Sequence, residues 1–427
     1  MILFEVFGLF IVLTLLGLPL VYGLLLSTAG MIWWHDLGHP LTSVFLSYIG
    51  GVESFLLIAV PLFMLAGEIL SRGGVGLRIV RFATQLLGWL PGGLGISTVT
   101  SCLIFGGVSG SAIADTAAIG SVMTPAMIRK GYSPAFSGAL MSTAGTLAIV
   151  MPPSIPMLVY AFVSGASVRD LFVAGVVPAV VFAVGLSLDC VRVGKRTGCD
   201  NGETRATGRE IWASFVSAFP ALLMPVIILG GIWSGYFTPT EAAAVAAAYG
   251  LFVSMVIYRD LKPRDLPALF LKSFTTSAVV MVVIGATSCL AWLITIEQVP
   301  VQIAELVTHY ATSPWMFLLL VNLAMLALGC FIEPVPAIIL AAPLLVPLAV
   351  AFKIEPVHLG LIMTCNLAMG LYTPPVGGTL MVGARLAGVG MASVVRALLP
   401  MMAISVTILM IVTYVPSISM GLVHALR

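Results

Sequence analysis

Apolar residues run almost without interruption along this 427-residue chain, and polar residues are gathered into a few short stretches. The apolar runs do not alternate with polar positions, so they predict α-helices and exclude an outer-membrane barrel. Because about 20 apolar residues cross a bilayer, we predict an all-α polytopic membrane protein without a sizeable soluble domain. Residues 1–26 lack the basic region and cleavage site of a signal peptide, so we predict one retained first span.

The longest polar stretch, Asp189–Glu210, carries five Lys and Arg residues. We predict that it is a loop between two halves of the chain. When the second half is shifted by 222 positions, residues 107–178 align with residues 329–400 without a gap. The matched prolines and glycines include Pro125/Pro347, Pro134/Pro356, Gly138/Gly360, Pro152/Pro374, Pro153/Pro375 and Pro178/Pro400.

Proline and glycine govern the path of the backbone more than its chemistry, so the matches predict a repeated chain path. Each copy is expected to contain a helical hairpin, a short turn (130–134 or 353–356) and a helix interrupted by two prolines. Membrane transporters are often built from such repeats. The alternative is that prolines recur because membrane helices tolerate kinks.

The double prolines Pro152-Pro153 and Pro374-Pro375 each lie inside an apolar stretch. Proline donates no backbone hydrogen bond and disfavours helix at the preceding residue, which leaves carbonyl groups free near Val150–Met151 and Tyr372–Thr373. Free backbone at membrane depth is tolerated only where it is buried in protein or lines a cavity. The sequence therefore predicts binding sites at two broken helices.

A topology follows if the first span starts in the cytoplasm. Residues 93–128 then form a re-entrant hairpin that enters from the cytoplasm, and residues 315–352 form its inverted copy, which enters from outside. With these hairpins assumed, sixteen of the 19 Lys and Arg residues fall inside, in agreement with the positive-inside rule. Residues 69–90 and 297–310 predict helices that lie along the membrane surface, or alternatively the solvated ends of ordinary spans.

Composition narrows the possible functions. Charged residues make up 8% of the chain and the formal net charge is +2, so no nucleic-acid partner is indicated. The six Cys and five His residues lack the spacing of a disulfide framework or a zinc site. No HExxH or Walker-type motif is present, so we expect no enzyme. Glu241, three residues after Thr238, predicts a capping box that opens a helix.

Residues 106–116 read GGVSGSAIADT, a run of small and hydroxylated residues that ends in an acid. Small residues let backbone approach an ion, serine oxygens suit Na⁺, and the helix that follows offers N–H groups to an anion. Small residues also serve helix packing, but packing does not explain Asp115. An acid among apolar residues is costly and is by default functional, so we predict the tip of the first hairpin here.

The second copy reads GCFIEPVP at 329–336, and Glu333 falls at the position of Ser111. One acid per tip predicts two related sites, unless Glu333 is simply an acid near a membrane surface. The broken helices supply the other walls, although some of their hydroxyl groups could bond their own helix. The predicted wall residues are Ser142, Thr143, Gly145, Thr146, Met151, Pro152, Pro153 and Ser154 in the first copy and Asn366, Thr373, Pro374, Pro375, Gly377 and Thr379 in the second.

At these residues the chain resembles the large membrane (permease) subunit of the tripartite ATP-independent periplasmic (TRAP) transporters. The resemblance rests on SGSAIADTAAIG at 109–120, on GTL at 145–147 leading into PPSIP at 152–156, and on TPPVG at 373–377. It covers nearly the whole chain. It implies an elevator-type, Na⁺-coupled secondary transporter of the bacterial inner membrane, without an organic cofactor.

The resemblance also implies partners and substrates. The partners are a small four-helix membrane subunit, which adds to the scaffold, and a soluble periplasmic substrate-binding protein. The substrates are organic acids, including C4-dicarboxylates, 2-oxo acids and sialic acids.

The residue roles that the resemblance implies place Na⁺ at each tip and its broken helix, with substrate between the tips. The implied Na⁺ ligands are Ser109, Ala112, Gly145, Met151, Pro152, Glu333, Thr373, Pro374, Pro375 and Gly377. The implied substrate-binding residues are Ser109, Gly110, Ser111, Asp115, Ser154, Glu333 and Thr379. Two positions depart from the family pattern: Glu333-Pro334-Val335 stands where Asp, Pro and Thr are expected, and Thr379 stands where Asn is expected.

With the repeat, the resemblance divides the chain into five predicted regions. These are N-terminal scaffold spans with a surface (arm) helix (1–92), the first transport-domain copy (93–188), a basic cytoplasmic loop with scaffold spans and a second arm helix (189–314), the second transport-domain copy (315–390) and a C-terminal span (391–427). Three alternatives stay open: a stand-alone Na⁺-coupled dicarboxylate or anion transporter of similar fold, a passive anion channel, and an intramembrane hydrolase that uses Asp115 and Glu333.

Overall fold

The computed structural model describes residues 2–199, 205–298 and 313–427, and within these ranges the chain is helical with no β-strand. The α-helices in chain order are α1 (Ile2–Leu15), α2 (Leu20–Trp34), α3 (Thr42–Val52), α4 (Ala59–Arg72), α5 (Val75–Leu87), α6 (Gly93–Ser109), α7 (Ala112–Arg129), α8 (Pro134–Ala144), α9 (Leu147–Val150), α10 (Ile155–Ser164), α11 (Val168–Thr197), α12 (Gly208–Trp233), α13 (Pro239–Phe252), α14 (Leu266–Ile296), α15 (Pro314–Gly329), α16 (Pro334–Ala351), α17 (Pro356–Gly370), α18 (Gly378–Ala387), α19 (Met391–Tyr414) and α20 (Pro416–Leu426).

Membrane crossing is supported by the length and composition of these helices. In the described part of the chain, seven helical segments are long and apolar enough to span a bilayer, or eight if the bent pair Pro134–Val150 and Ile155–Ser164 forms one span. The two members of that pair are inclined by 41°. The prediction of an all-α polytopic membrane protein is confirmed.

The prediction of a single first span over residues 1–26 is wrong. The chain turns after Leu15 and starts α2 at Leu20, with Gly17 at φ 91°. Pro19 stands immediately before α2 and cannot donate an i→i−4 hydrogen bond to α1, and it disfavours helix at Leu18. Two helices therefore replace the predicted one.

The central loop is also shorter than predicted. The helix α11 continues through Asp189 as far as Thr197 and ends at Gly198, which adopts the left-handed conformation. Lys195 and Arg196 lie in its last turn, where cations interact favourably with the helix dipole. Basic residues that read as loop in the sequence thus extend a helix, and α12 begins at Gly208.

The repeated chain path is confirmed by the helix boundaries. At the 222-residue offset, α7 (Ala112–Arg129) corresponds to α16 (Pro334–Ala351), and α8 and α17 start at Pro134 and Pro356. The helices α6 and α7 are joined through Gly110 and Ser111, and α15 and α16 through residues 330–333. Each copy then continues into a helix that is interrupted at its double proline.

A separate helix, α5, covers most of the first predicted surface helix and follows Gly73 and Gly74, and its place along the membrane surface stays a prediction. Its N-terminal boundary differs from the prediction because Arg72 belongs to α4. The second predicted surface helix, residues 297–310, lies almost entirely outside the described residues. The predicted capping box is confirmed: Glu241 Oε2 accepts from the Thr238 N–H at 2.8 Å, and Thr238 Oγ1 accepts from the Glu241 N–H at 3.3 Å.

Two groups of buried side chains form the core. The larger group extends from α4 to α20 and includes both broken helices. The smaller group joins α1, α2, α3 and α14, and it reaches the second copy through Leu340 of α16. The five-region division of the chain remains a prediction.

The two copies interlock because equivalent helices of each copy pack on the other copy. The helix α18 of the second copy packs on α7 and α8 of the first, and α10 of the first copy packs on α16 and α17 of the second. A Cβ atom on Gly138 would lie 2.9 Å from the Gly383 carbonyl oxygen, and one on the matching Gly360 would lie 2.3 Å from the Tyr160 ring. The repeated glycines therefore mark equivalent contacts between copies.

Candidate functional site

The tip of the first hairpin is a tight turn. Gly110 has φ 62°, a left-handed conformation that ends α6, and its N–H donates to the Gly106 carbonyl at 3.2 Å. Ser111 then opens α7, with its hydroxyl oxygen 3.5 Å from the Ala114 nitrogen. Only glycine adopts this backbone conformation without strain, which explains its place between two serines.

Asp115 lies in the first turn of α7 and is fully buried. The Ser109 hydroxyl donates to its Oδ1, and the same hydroxyl oxygen accepts from the Ser111 N–H at 3.2 Å. The second carboxylate oxygen, Oδ2, has no hydrogen-bond partner among the described residues. A buried carboxylate oxygen without a partner costs free energy, so this oxygen is a candidate partner for a cation or a donor from outside the chain.

The first broken helix packs directly on this tip. A Cβ atom on Gly106 would lie 2.6 Å from the Ala148 Cα, and one on Gly110 would lie 3.1 Å from the Pro153 carbonyl oxygen. The small residues of the tip therefore let two backbones meet. The interrupted backbone is thus in contact with the tip that carries the buried acid.

Ser154 closes the first break. Its hydroxyl donates to the Ile149 carbonyl at 2.6 Å across the cis Pro152-Pro153 bond, and it lies at the N-terminus of α10. On the other side, a Cβ atom on Gly145 would lie 1.9 Å from Thr116 Oγ1 of α7. The hydroxyls of Ser142, Thr143 and Thr146 donate to backbone carbonyls three or four residues earlier. The hydrogen atoms of these three hydroxyl groups are therefore already used in bonds to nearby backbone.

The second tip is more open than the first. Glu333 precedes α16, is exposed, and makes no hydrogen bond from its side chain to the described N-terminus of that helix. Phe331 beside it is 67% exposed. The end of α15 nevertheless packs closely on the second broken helix, since a Cβ atom on Gly370 would lie 2.4 Å from the Gly329 backbone. In the first copy the same two helices meet one position earlier, at Gly106 and Ala148, since Gly370 corresponds to Ala148 and Gly329 to Gly107.

The second break is closed by Thr379, which is buried. Its hydroxyl and its N–H both approach the Leu371 carbonyl, at 2.9 Å and 3.0 Å. Thr373 donates to the Met369 carbonyl at 2.7 Å, whereas Pro375 and Val376 are exposed. Thr379 therefore does in the second copy what Ser154 does in the first.

The structure brings the predicted residues of the first copy together at one place. Ser109, Gly110, Asp115 and the break at Pro152-Pro153 meet at the first tip, with Ala112, Gly145 and Met151 around them. The first turn of α7 reaches the second break, because a Cβ atom on Gly378 would lie 3.3 Å from Ile113 Cδ1. The described contacts do not join Glu333 to the first tip.

A buried polar cluster beside the second break was not predicted as a unit. The Asn366 amide donates to Asn322 Oδ1 at 2.7 Å, and the Asn322 amide donates to Thr413 Oγ1 at 3.2 Å. His358 lies 2.7 Å from Ser419 Oγ and 3.1 Å from the Thr413 carbonyl. A lone Asn within the apolar run of α15 was the available signal, but its partners lie 44 and 91 residues away.

Comparisons with known proteins identify the family. The family model described as "Tripartite ATP-independent periplasmic transporter, DctM component" matches residues 7–418. The C4-dicarboxylate TRAP transporter large permease protein DctM of Pseudomonas aeruginosa is 42% identical over 370 residues, 87% of this chain and 86% of that protein. Its namesake in Rhodobacter capsulatus is 38% identical over 99% of this chain and 98% of that protein.

A relative with a different substrate in its name is almost as similar. The 2,3-diketo-L-gulonate TRAP transporter large permease protein YiaN of Escherichia coli is 36% identical over 94% of both chains.

Solved structures share the fold. The Alcanivorax borkumensis YdaH transporter has a TM-score of 0.62 at 15% identity and covers 87% of this chain and 88% of its own. Neisseria gonorrhoeae MtrF, described among antimetabolite efflux pumps, has a TM-score of 0.59 at 13% identity, with coverage of 87% and 83%. The family model and these relatives show that the chain belongs to the DctM family of TRAP transporter large permeases.

Proposed function

We propose that this chain is the large subunit of a Na⁺-coupled importer of an organic acid that is delivered by a periplasmic binding protein. The observation that carries the proposal is the unpartnered Asp115 Oδ2, buried at a hairpin tip that packs on an interrupted helix. Intramembrane acids of this kind mark ion or substrate pathways. Family membership supports transport that depends on a binding protein. The oxygen atoms at the first tip support Na⁺ as the coupling ion.

Na⁺ is the proposed coupling ion because the donors at the first tip are all oxygens. Ser109 and the carbonyls next to Pro152 and Pro153 provide a hydroxyl and free backbone oxygens, which suit a hard cation, and the Asp115 carboxylate bonded to Ser109 adds negative charge beside them. The proposed first-site ligands are Ser109, Ala112, Gly145, Met151 and Pro152, and the proposed second-site ligands are Glu333, Thr373, Pro374, Pro375 and Gly377. The bound ion would supply positive charge that the tips otherwise lack.

An organic acid is the proposed substrate. No Lys or Arg lies in 106–116 or 329–337, so an anion there would be held by helix N-termini, hydroxyl groups and Na⁺. The names of the relatives include a C4-dicarboxylate and 2,3-diketo-L-gulonate, which are carboxylates. The proposed substrate-site residues are Ser109, Gly110, Ser111, Asp115, Ser154, Glu333 and Thr379, of which the two acids would face the substrate through bound Na⁺.

The proposed mechanism is of the elevator type, with re-entrant hairpins in a transport domain that moves against a scaffold. The interlocked copies support one rigid unit that contains both tips. The chain would lie in the bacterial inner membrane, with a small four-helix membrane subunit as further scaffold. The transport family itself is named tripartite, which supports two partner proteins.

The test is uptake of labelled organic acids into proteoliposomes that contain this chain and its small subunit. An inward Na⁺ gradient and the cognate binding protein are each added or left out. Uptake that needs both is the expected result. Na⁺-dependent uptake without a binding protein would favour the stand-alone transporter, and flux without a gradient would favour a channel.

A further inference from the structure

The helices α7 and α18 run side by side away from the proposed site. A Cβ atom on Gly378, at the start of α18, would lie 3.3 Å from Ile113 Cδ1 in the first turn of α7. Two turns farther along α7, a Cβ atom on Gly120 would lie 2.6 Å from Leu386 Cδ1. The two helices are therefore parallel, and both lead away from the first tip and the second break in the same direction.

One face of this helix pair is exposed. On α7 the exposed side chains are Ile113, Ala117 and Ser121, and their spacing of four residues places them on one side of the helix. On α18 the exposed side chains are Met381 and Arg385, which are also four residues apart. The second break, which is exposed as well, immediately precedes α18. These five residues form a continuous surface, the outlet face.

Arg385 is the charged residue of the outlet face, and it makes no ion pair or hydrogen bond within the described part of the chain. The helices α7, α8 and α19 pack on α18. The one acid on these three helices is Asp115, which is buried and bonded to Ser109. A cation in the last turn of α18 is favourable for the helix dipole. The N–H donors of the exposed guanidinium nevertheless stay free for a ligand from solution.

The position of Arg385 makes it the first cation beyond the second break. No Lys or Arg lies in 106–116, 329–337 or 354–384. Gly378 and Arg385 are seven positions apart, which is about 10 Å along a helix. A carboxylate that leaves the tips along the outlet face therefore reaches a guanidinium within a short distance. Guanidinium groups bind carboxylates through paired, charge-assisted hydrogen bonds.

We propose that Arg385 binds the carboxylate of an organic acid at the mouth of the cavity that joins the second break to solution. The inference rests on the proposed function, which supplies the substrate. The predicted topology places this mouth in the cytoplasm, where an importer releases its cargo. A positive charge at the mouth of a cleft raises the local concentration of an anion and its rate of exchange with solution. Arg385 thus acts at this side of the membrane and leaves affinity at the other side unchanged.

The first test measures the potential at the mouth and needs no transport. Ser121→Cys is nearly isosteric, and its neighbour Gly120 contacts Leu386 beside Arg385. The variant is made together with Cys330→Ser, since the other native cysteines are buried. The full chain, purified with its small subunit, then reacts with sulfonatoethyl methanethiosulfonate, an anion, or trimethylammonioethyl methanethiosulfonate, a cation.

Arg385→Gln is expected to lower the ratio of the anionic to the cationic reaction rate about three-fold, and Arg385→Lys to preserve the ratio. Arg396→Gln is the matched control, because Arg396 is an exposed cation of α19 outside the outlet face. It should leave the ratio unchanged. An equal ratio in Arg385→Gln and the wild type, or an equal fall in Arg396→Gln, would overturn the proposal.

The second test measures exchange of labelled succinate, a C4-dicarboxylate, across proteoliposomes in which the orientation of the chain is known. Arg385→Gln should raise KM on the side of the mouth about three-fold, with KM on the opposite side and KM for Na⁺ within about two-fold. A KM that is unchanged at the mouth, or raised equally on both sides, would contradict a role at the mouth. Exchange that does not depend on Na⁺ would reject the proposed coupling, whereas a lowered labelling ratio would still support Arg385.

Discussion

The two copies have the same backbone path and opposite exposure. At the first tip, Ser109 and Asp115 are buried and the break at Pro152-Pro153 is covered. At the second tip, Glu333 is exposed, and so are Pro375 and Val376 in the second break. The helix boundaries nevertheless repeat at one offset.

Repeated geometry therefore does not require repeated chemistry. Prolines and glycines reproduce the breaks and close contacts, while the side chains at the tips differ in identity and in cover. The first tip is sealed by α4, since a Cβ atom on Gly67 would lie 2.8 Å from the Ser109 carbonyl oxygen. One half-site is therefore closed and the other open in a single structure.

Removing the two acids should have the largest effect. Asp115→Ala and Glu333→Ala should each reduce Na⁺-dependent uptake by about 100-fold or more, because each removes the carboxylate of its proposed site. The thermal unfolding temperature should change with Asp115→Ala only, since Glu333 is exposed. Glu241→Gln, an exposed capping acid, is the control. Wild-type uptake in both acid variants would contradict the two-tip site.

A methyl group between the copies should disturb the fold. Gly360→Ala places a Cβ atom against the buried Tyr160 ring, whose hydroxyl donates to the Pro356 carbonyl at 2.6 Å. Overpacking of this kind costs about 1–3 kcal/mol, measured as a lower unfolding temperature. Gly390→Ala has open space around it and should change little. Equal stability of both variants would argue against the interlocked contact.

The polar cluster beside the second break should behave as a unit. Asn366→Ala removes the amide that donates to Oδ1 of buried Asn322. A buried group that loses its hydrogen-bond partner costs about 1–3 kcal/mol of stability. Asn322→Ala should cost a similar amount, and the double variant less than the sum. Additive losses in urea or thermal unfolding would show that the two amides are not coupled.

Thiol labelling should report the smallest effect, the difference in exposure. Cys330 at the second tip is half-buried, whereas Cys102 and Cys365 are fully buried. Cys330 should therefore react first with a polar maleimide, and Na⁺ with substrate should slow it by about two- to three-fold. Cys330→Ser provides the control. Labelling of Cys102 at the same rate would show that the first hairpin is as open as the second.

Local signals in the sequence were enough to predict the repeat, the two breaks and the capping box at Thr238. Proline, glycine and capping residues act on backbone within a few positions, so their effect can be read without knowing the rest of the molecule. The same locality explains two errors. A turn at Leu18–Pro19 divided the first helix, and basic residues after Asp189 extended α11, because apolar or basic composition alone does not mark a helix end.

Contacts between residues that are distant in the sequence depend on the tertiary structure. The sequence alone shows that an acid and small residues follow one another at 106–116, but the burial of Asp115 at a tip covered by α4 and the exposure of Glu333 depend on tertiary packing. The hydrogen bonds between Asn322 and Asn366 and between Arg78 and Asp260 could not be predicted from the sequence either. Such contacts join residues 44 and 182 positions apart, and burial depends on that packing rather than on neighbouring sequence.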